Sequence, residues 1–293
     1  MRVLILGGNG MLGHKLVQNW RERFDVWTTL RGSFNDVKRF GFFDENQTLS
    51  RVEAQKFDSI IEAFEIVRPN VIVNCIGIIK QLPSSKNIVS TLEVNAIFPQ
   101  RLAKLAQTQN ARLITLSTDC VFSGERGNYG ETDVPDATDL YGQSKHWGEI
   151  SGENCLTLRT SIIGRELETS HSLVEWILSN SGGKVKGFTE AIYSGFPTII
   201  LAEILANVIE NHPELNGVWH VASEPISKFE LLKLIRDVFD VSIEIEPYGD
   251  FQIDRSLNAD KFRAATNFVS QTWREMVYKM AIDKDIYDKW REI

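Results

Sequence analysis

Two residues into the chain an apolar run, Val3-Leu4-Ile5-Leu6, breaks into Gly7-Gly8-Asn9-Gly10-Met11-Leu12-Gly13, and a helical pattern begins inside the glycines. Strand, glycine turn and helix in immediate succession leave few folds open. Glycines at 7, 10 and 13 let the backbone turn tightly and approach a pyrophosphate, whose charge is met by amide N–H groups and the helix N-terminal dipole. The bland alternative is a glycine-rich turn that merely packs the first helix. The strand-turn-helix context favours a dinucleotide site built from Gly7, Gly10, Met11, Leu12 and Gly13.

The pattern that follows supports it. A helix is expected over about residues 11–23, with Leu12, Leu16, Val17 and Trp20 on one face, then a strand over 24–30 and a polar loop. Ile60, Ile61, Phe64 and Val67 fall at helical spacing, with Ser59 and Glu62 as a capping box and Pro69 as the stop. Val71-Ile72-Val73 reads as a strand buried on both faces. A helix over 94–108, a strand over 113–116, a helix from near Tyr141 and a strand over 156–158 complete the alternation. Such alternation predicts an α/β fold, a Rossmann doubly wound parallel sheet, over residues 1–160. Residues 161–293 are expected to form mainly a smaller C-terminal α/β substrate domain, with a return segment near 195–222. In that half a helix is read over 198–211, a strand over 218–221, a capped helix from Ser227 to about Phe239 and a strand over 241–245.

Composition narrows the partners. A net charge of −7 argues against general attraction to nucleic acid or an anionic membrane surface. A phosphate-bearing ligand must therefore be held locally. Cys75, Cys120 and Cys155 lie outside any CxxC pattern, and the five histidines form no ligand-like pair, so neither disulfides nor a metal is expected. The first strand is too short for a signal-peptide core, and no apolar run approaches the ~20 residues that span a bilayer. A soluble, cytoplasmic protein fits these features.

Dinucleotide sites that prefer NAD place an acid about 20 residues beyond the glycine motif, at the end of strand two. Here that end reads Thr28-Thr29-Leu30-Arg31-Gly32. A guanidinium at this place either meets the 2′-phosphate of NADP or is a solvated loop residue. NADP(H) is favoured, and NAD(H) stays open. Further on, Tyr141-Gly142-Gln143-Ser144-Lys145 puts a phenol and an ammonium on one helical face. Ser117-Thr118-Asp119 follows a predicted strand, at the carboxyl edge where open α/β sheets bind ligands.

GGNGMLG, NCIG at 74–77, VNAIFPQRLA at 94–103, STDCVFSG at 117–124, YGQSK at 141–145 and LRTSIIG at 158–164 together resemble an extended short-chain dehydrogenase/reductase. The branch they are most similar to is dTDP-4-dehydrorhamnose reductase. Gly195-Phe196-Pro197-Thr198 and Val218-Trp219-His220-Val221-Ala222 extend the likeness over most of the chain.

The resemblance implies an oxidoreductase in carbohydrate biosynthesis that transfers hydride from the nicotinamide to the 4-keto carbon of a nucleotide sugar. Tyr141 would protonate the alkoxide, Lys145 would hold the nicotinamide ribose and lower the tyrosine pKa, and Thr118 would bind the same oxygen. Cys75, Ile76, Gly77 and Ser117 would line the cofactor. Asn95 would stabilise the site through the backbone, though as a bare residue it could equally cap a helix. Glu53 would stand near the adenine.

Asp119, Cys120, Ile162 and Arg255 would face the substrate, with Arg255 on the diphosphate. Lys184 and Lys186 are weaker candidates for that contact, and Lys80-Gln81 either touches the substrate or belongs to a solvated loop. Cys120 and Ile162 stand where the rhamnose-pathway enzymes carry tyrosine and tryptophan, so the 6-deoxyhexulose of that pathway need not be the substrate. Relatives pair through the tyrosine helix and its neighbour, which implies a homodimer through 94–108 and 141–153. Two other readings stay open. One is a nucleotide-sugar epimerase or dehydratase, although the acidic pair that dehydratases carry beside the threonine is missing. The other is a non-catalytic, dinucleotide-binding regulatory subunit.

Overall fold

The computed structural model describes residues 1–291. Seven parallel strands form the central sheet: β1 (Arg2–Leu6), β2 (Asp25–Thr29), β3 (Thr48–Leu49), β4 (Val71–Asn74), β5 (Arg112–Thr118), β6 (Cys155–Thr160) and β7 (Gly217–His220). Their order across the sheet is β7-β6-β5-β4-β1-β2-β3. The direction of winding reverses between β1 and β4, and at such a switch point the loops beyond the carboxyl ends diverge and open a crevice.

Side-chain alternation explains why helices cover both faces. Val3 and Ile5 of β1 join one buried cluster with Leu16, Val17 and Trp20, while Leu4 and Leu6 join another with Ile60, Phe64 and Leu102. Strand residues alternate with a period of two, so an apolar residue at every position needs a helix layer on each side. The helices α1 (Gly13–Trp20) and α5 (Thr198–Asn211) cover the first face, and α2 (Phe57–Val67) and α3 (Phe98–Thr108) the second. The helix α4 (Leu140–Trp147) follows β5 in the chain. No helix among the described residues is long and apolar enough to cross a membrane.

The second half of the chain is shared between sheet and lobe. β7 pairs in parallel with β6, from Gly217 opposite Leu156 to His220 opposite Arg159. Around it, Lys184–Phe188 pairs with Glu244–Tyr248, and Ala191–Tyr193 lies between Ile226–Ser227 and Ile253–Asp254. Helices α6 (Lys228–Phe239), α7 (Trp273–Ala281) and α8 (Lys284–Arg291) complete this lobe.

Several local expectations change. The loop after β2 contains β3, whose Thr48 and Leu49 pair only with Thr28 and Thr29, too little to leave an apolar run in the sequence. The capping box of Ser59 and Glu62 is not made. Helix α2 starts at Phe57, and the Ser59 hydroxyl accepts from the Glu53 N–H at 3.0 Å and donates to the Lys56 carbonyl at 2.7 Å. Ser227 does cap α6 by accepting from the Glu230 N–H, but the Glu230 carboxylate turns to Lys233 at 3.2 Å. The strand expected over 241–245 is displaced to Glu244–Tyr248, because the parallel partner Lys184–Phe188 sets its register.

Candidate active site

The glycine loop closes on itself. Gly10 N–H donates to the Gly7 carbonyl at 3.1 Å, and Gly7 adopts a φ of +83°, where a side chain would be strained. A Cβ on Gly13 would lie 2.1 Å from the Gly7 oxygen, so only glycine lets α1 begin this close to β1. Met11 and Leu12 form the turn into α1. Beside the loop, the Cys75 N–H donates to the Leu6 carbonyl at 3.0 Å, and Ile76 packs over Gly7. Burial pushes the Cys75 thiol up to about 12, so it is an apolar wall rather than a nucleophile. Gly77 is exposed just beyond.

Arg31 is exposed past the end of β2. The nearest following acid, Asp36, is committed to the Ser33 cap, accepting from Ser33 N–H at 2.7 Å. Asp36 is thus held in the capping box of the short helix Phe34–Val37. Glu53, on the next crossover, is paired with Lys56 at 2.7 Å.

Asn95 serves the loop rather than a helix end. It sits 2 % exposed in a π-helical turn, Glu93–Ile97, between a short helix and α3. Its carboxamide accepts from the Ile78 N–H at 2.8 Å, donates to the Ile78 carbonyl at 2.9 Å and reaches Ser144 Oγ at 3.3 Å. One side chain thus ties the loop after β4 to α4. Both ends of the amide are engaged within the protein, and the cap in this region is Asn87.

Thr118 ends β5, and α4 brings Tyr141 and Lys145 up to it. Asp139 caps α4 by accepting from the Gly142 N–H at 3.0 Å, which fixes where the phenol two residues later emerges. The Thr118 hydroxyl donates to Asp119 at 3.0 Å and accepts from the Cys120 N–H at 3.1 Å. Burial raises the Tyr141 phenol above its usual pKa, and the Thr118 hydroxyl moderates the shift. Tyr141 is therefore protonated at neutral pH, the state a proton donor needs. Lys145 donates to the Leu116 carbonyl at 2.7 Å, and burial lowers it to about 8 against the opposing pull of Glu149.

Cys120, which acts electrostatically on Tyr141, is half-buried, and burial pushes its thiol up to about 11; Ile162, paired with Phe196, is half-buried too. Arg255 donates through Nε to the Phe122 carbonyl at 2.8 Å and acts electrostatically on both Cys120 and Asp139. Lys80 is no free loop residue. It pairs with Asp139 at 2.9 Å and lies 5.4 Å from the Tyr141 ring centre. Lys184 and Lys186 are elsewhere: Lys184 bridges Glu244 and Glu246, and Lys186 covers the Tyr248 ring at 4.0 Å. Both ammonium groups thus have partners on this edge of the second lobe.

Ser117 is buried near the end of β5. Its hydroxyl donates to Glu149 at 2.7 Å, and Glu149 is held by two further bonds from Arg159, at 2.7 and 2.8 Å. Arg159 reaches His220 at 3.2 Å. This buried network was missed by sequence reasoning. Glu149 stands four residues after Lys145 but lies beyond the end of α4, so helical spacing did not disclose it.

The profile of the family described as "RmlD substrate binding domain" matches residues 1–285. The chain belongs to the RmlD substrate binding domain family. Among the relatives of this RmlD-family chain, methionine adenosyltransferase 2 subunit beta of Xenopus tropicalis is 25% identical over 272 residues, covering 85% of the chain and 75% of that protein. A dTDP-4-dehydrorhamnose reductase of Aggregatibacter actinomycetemcomitans is 25% identical over 240 residues, covering 76% and 74%. The crystal structure of dTDP-4-dehydrorhamnose reductase from Bacillus anthracis in complex with NADP superposes with a TM-score of 0.78 at 21% identity, covering 96% of the chain and 99% of that one. At that identity the superposition carries the fold alone. The relatives thus include both a reductase and a subunit of a transferase.

Proposed function

We propose that this RmlD-family chain is an NADP(H)-dependent reductase of a 4-keto nucleotide sugar. The observation that carries the reading is the convergence of Thr118, Tyr141 and Lys145 at the carboxyl end of β5, beside the switch point, with the phenol protonated. The glycine loop and the exposed Arg31 hold the dinucleotide, whose nicotinamide supplies the hydride. Thr118 and Tyr141 bind the sugar carbonyl oxygen, and Tyr141 gives its proton to the alkoxide. Lys145 leaves the Leu116 carbonyl for the nicotinamide ribose and lends positive charge to the phenol. Arg255 and Lys80 flank Cys120, where the rest of the nucleotide sugar enters. Cys120 and Ile162 widen the pocket relative to enzymes with aromatic walls, and an N-acetylated sugar is accommodated there. The homodimer belongs to this reading, with Ile97 before α3 and Trp147 at the end of α4 exposed by 51% and 54%.

The similarity to a transferase subunit supports a second reading, a dinucleotide-binding regulatory protein without turnover. A screen of 4-keto nucleotide sugars with NADPH, followed at the nicotinamide absorbance, separates them. Turnover with one substrate, lost in Tyr141→Phe by roughly 10²–10⁴-fold, supports the reductase. Tight NADPH binding without turnover on any keto sugar favours the subunit.

A further inference from the structure

His14 stands directly behind the glycine loop, fully buried. Its Nδ1 lies 2.8 Å from the Gly10 carbonyl oxygen, and its Nε2 lies 2.6 Å from the hydroxyl of Tyr287, a residue of the last helix, α8. Burial drives the imidazole down to about 3, with the Gly10 bond opposing and Lys15 reinforcing, so the ring is neutral and carries one proton. A carbonyl only accepts, which places that proton on Nδ1 and leaves Nε2 to accept from the phenol. The direction of the chain is therefore fixed: Tyr287 O–H to His14 Nε2, and His14 Nδ1–H to the Gly10 oxygen.

The Gly10 carbonyl also accepts from the His14 N–H at 3.0 Å. Two donors hold it toward α1. In a trans peptide the carbonyl and the following N–H point in opposite directions. Pinning the Gly10 oxygen toward α1 therefore turns the Met11 N–H away from the helix, to the side where the loop meets a phosphate. The rest of α8 is fastened to the same place. Lys15 is paired with Asp283 at 2.8 Å and lies 4.9 Å over the Tyr287 ring, and Trp290 packs edge-on against Phe40 at 5.3 Å.

We propose that Tyr287 and His14 are positioning residues of the dinucleotide site, through which α8 orients the Met11 N–H toward the pyrophosphate. The inference rests on the dinucleotide reading above. It makes a segment of the substrate half a working part of cofactor binding, and assigns a role to two residues that the reduction chemistry does not use.

The test is NADPH binding to the full chain by nicotinamide fluorescence, with wild type, Tyr287→Phe, His14→Phe and the double variant. Both substitutions keep a ring in the aromatic cluster, and thermal melting of each is recorded alongside. Tyr287→Phe is expected to weaken NADPH by about tenfold, His14→Phe by more, and the double variant no further than His14→Phe alone, because the phenol acts only through the imidazole. The KM for the nucleotide sugar at saturating NADPH should hold within about twofold, since that site makes no contact with the relay. Additive losses, an unchanged NADPH affinity, or an equal loss at the sugar site would overturn the proposal while leaving the cofactor reading intact. A wild-type chain that binds neither NADPH nor NADH would sink the cofactor reading, and this inference with it.

Discussion

Glu149 and Arg159 meet through two hydrogen bonds of 2.7 and 2.8 Å just beyond the end of α4, with side chains 6% and 4% exposed. Burial pushes the Glu149 carboxyl up, but Arg159, Ser117 and His146 outweigh it and hold the carboxyl below its usual value of 4.5. Removing one partner of a buried pair leaves the other charge uncompensated, at a cost of about 3–5 kcal/mol. Glu149→Gln should therefore lower the denaturation free energy by roughly that amount. The sign of the pH effect follows from the lowered carboxyl: its stabilisation is complete above pH 4.5 and disappears as pH falls through the folded-state value. Urea unfolding of wild type and Glu149→Gln between neutral and acidic pH checks both, and the gap between them should close in acid.

Lys145 makes a different pH prediction. Burial brings its pKa to about 8 in the free protein, so the positive charge offered to the cofactor ribose is present below that pH and lost above it. NADPH affinity should fall as pH rises through about 8. Lys145→Met should bind weakly at every pH, with the dependence gone. A wild-type dissociation constant that stays flat across this range would show that the ammonium is not the group that holds the ribose.

Arg31 is the residue on which cofactor choice turns. With Asp36 held by Ser33, Arg31→Ala should weaken NADPH by about tenfold, the value of one charge-assisted contact, and leave NADH nearly unchanged. Paired titrations of the two cofactors measure the ratio directly. An unaltered ratio would remove Arg31 from phosphate recognition.

Arg255 has its Nε on the Phe122 carbonyl, an anchor that sets the guanidinium beside Cys120. Arg255→Ala should raise the nucleotide-sugar KM by about 10-fold or more with kcat little changed, because a diphosphate contact is the same in ground and transition states. Initial rates at saturating NADPH read this out. A loss confined to NADPH affinity would place the residue in the wrong half of the site.

What the sequence disclosed follows from range. The glycine loop, the buried strands and the Tyr141–Lys145 face are local patterns in which neighbours along the chain dictate the geometry, and the strand at 217–220 shows as the short apolar stretch Val218-Trp219 before His220 and Val221. The strand β3 is too short to leave a period. The Asn95 clamp was legible only as a resemblance, since nothing local distinguishes an asparagine in a π-helical turn from a cap. The His14–Tyr287 contact joins positions 273 residues apart, and the Glu149–Arg159 pair joins the loop after α4 to β6. Ser59 and Glu62 matched a motif whose helix begins two residues before the serine, so the backbone donors a cap would serve were already inside the helix.

The placement of β7 bears on how this chain can be divided. Every residue of β6 is buried, and its outer neighbour is supplied only by Gly217–His220. A fragment ending at residue 160 would keep six strands and lose both that partner and α5, the cover over Trp20 and Val17. It would present a bare, apolar strand edge beside an uncovered sheet face, the arrangement that recruits other chains edge to edge. The half that carries the glycine loop is thus one unit in space but not in sequence, and such a fragment should precipitate rather than stay folded in solution.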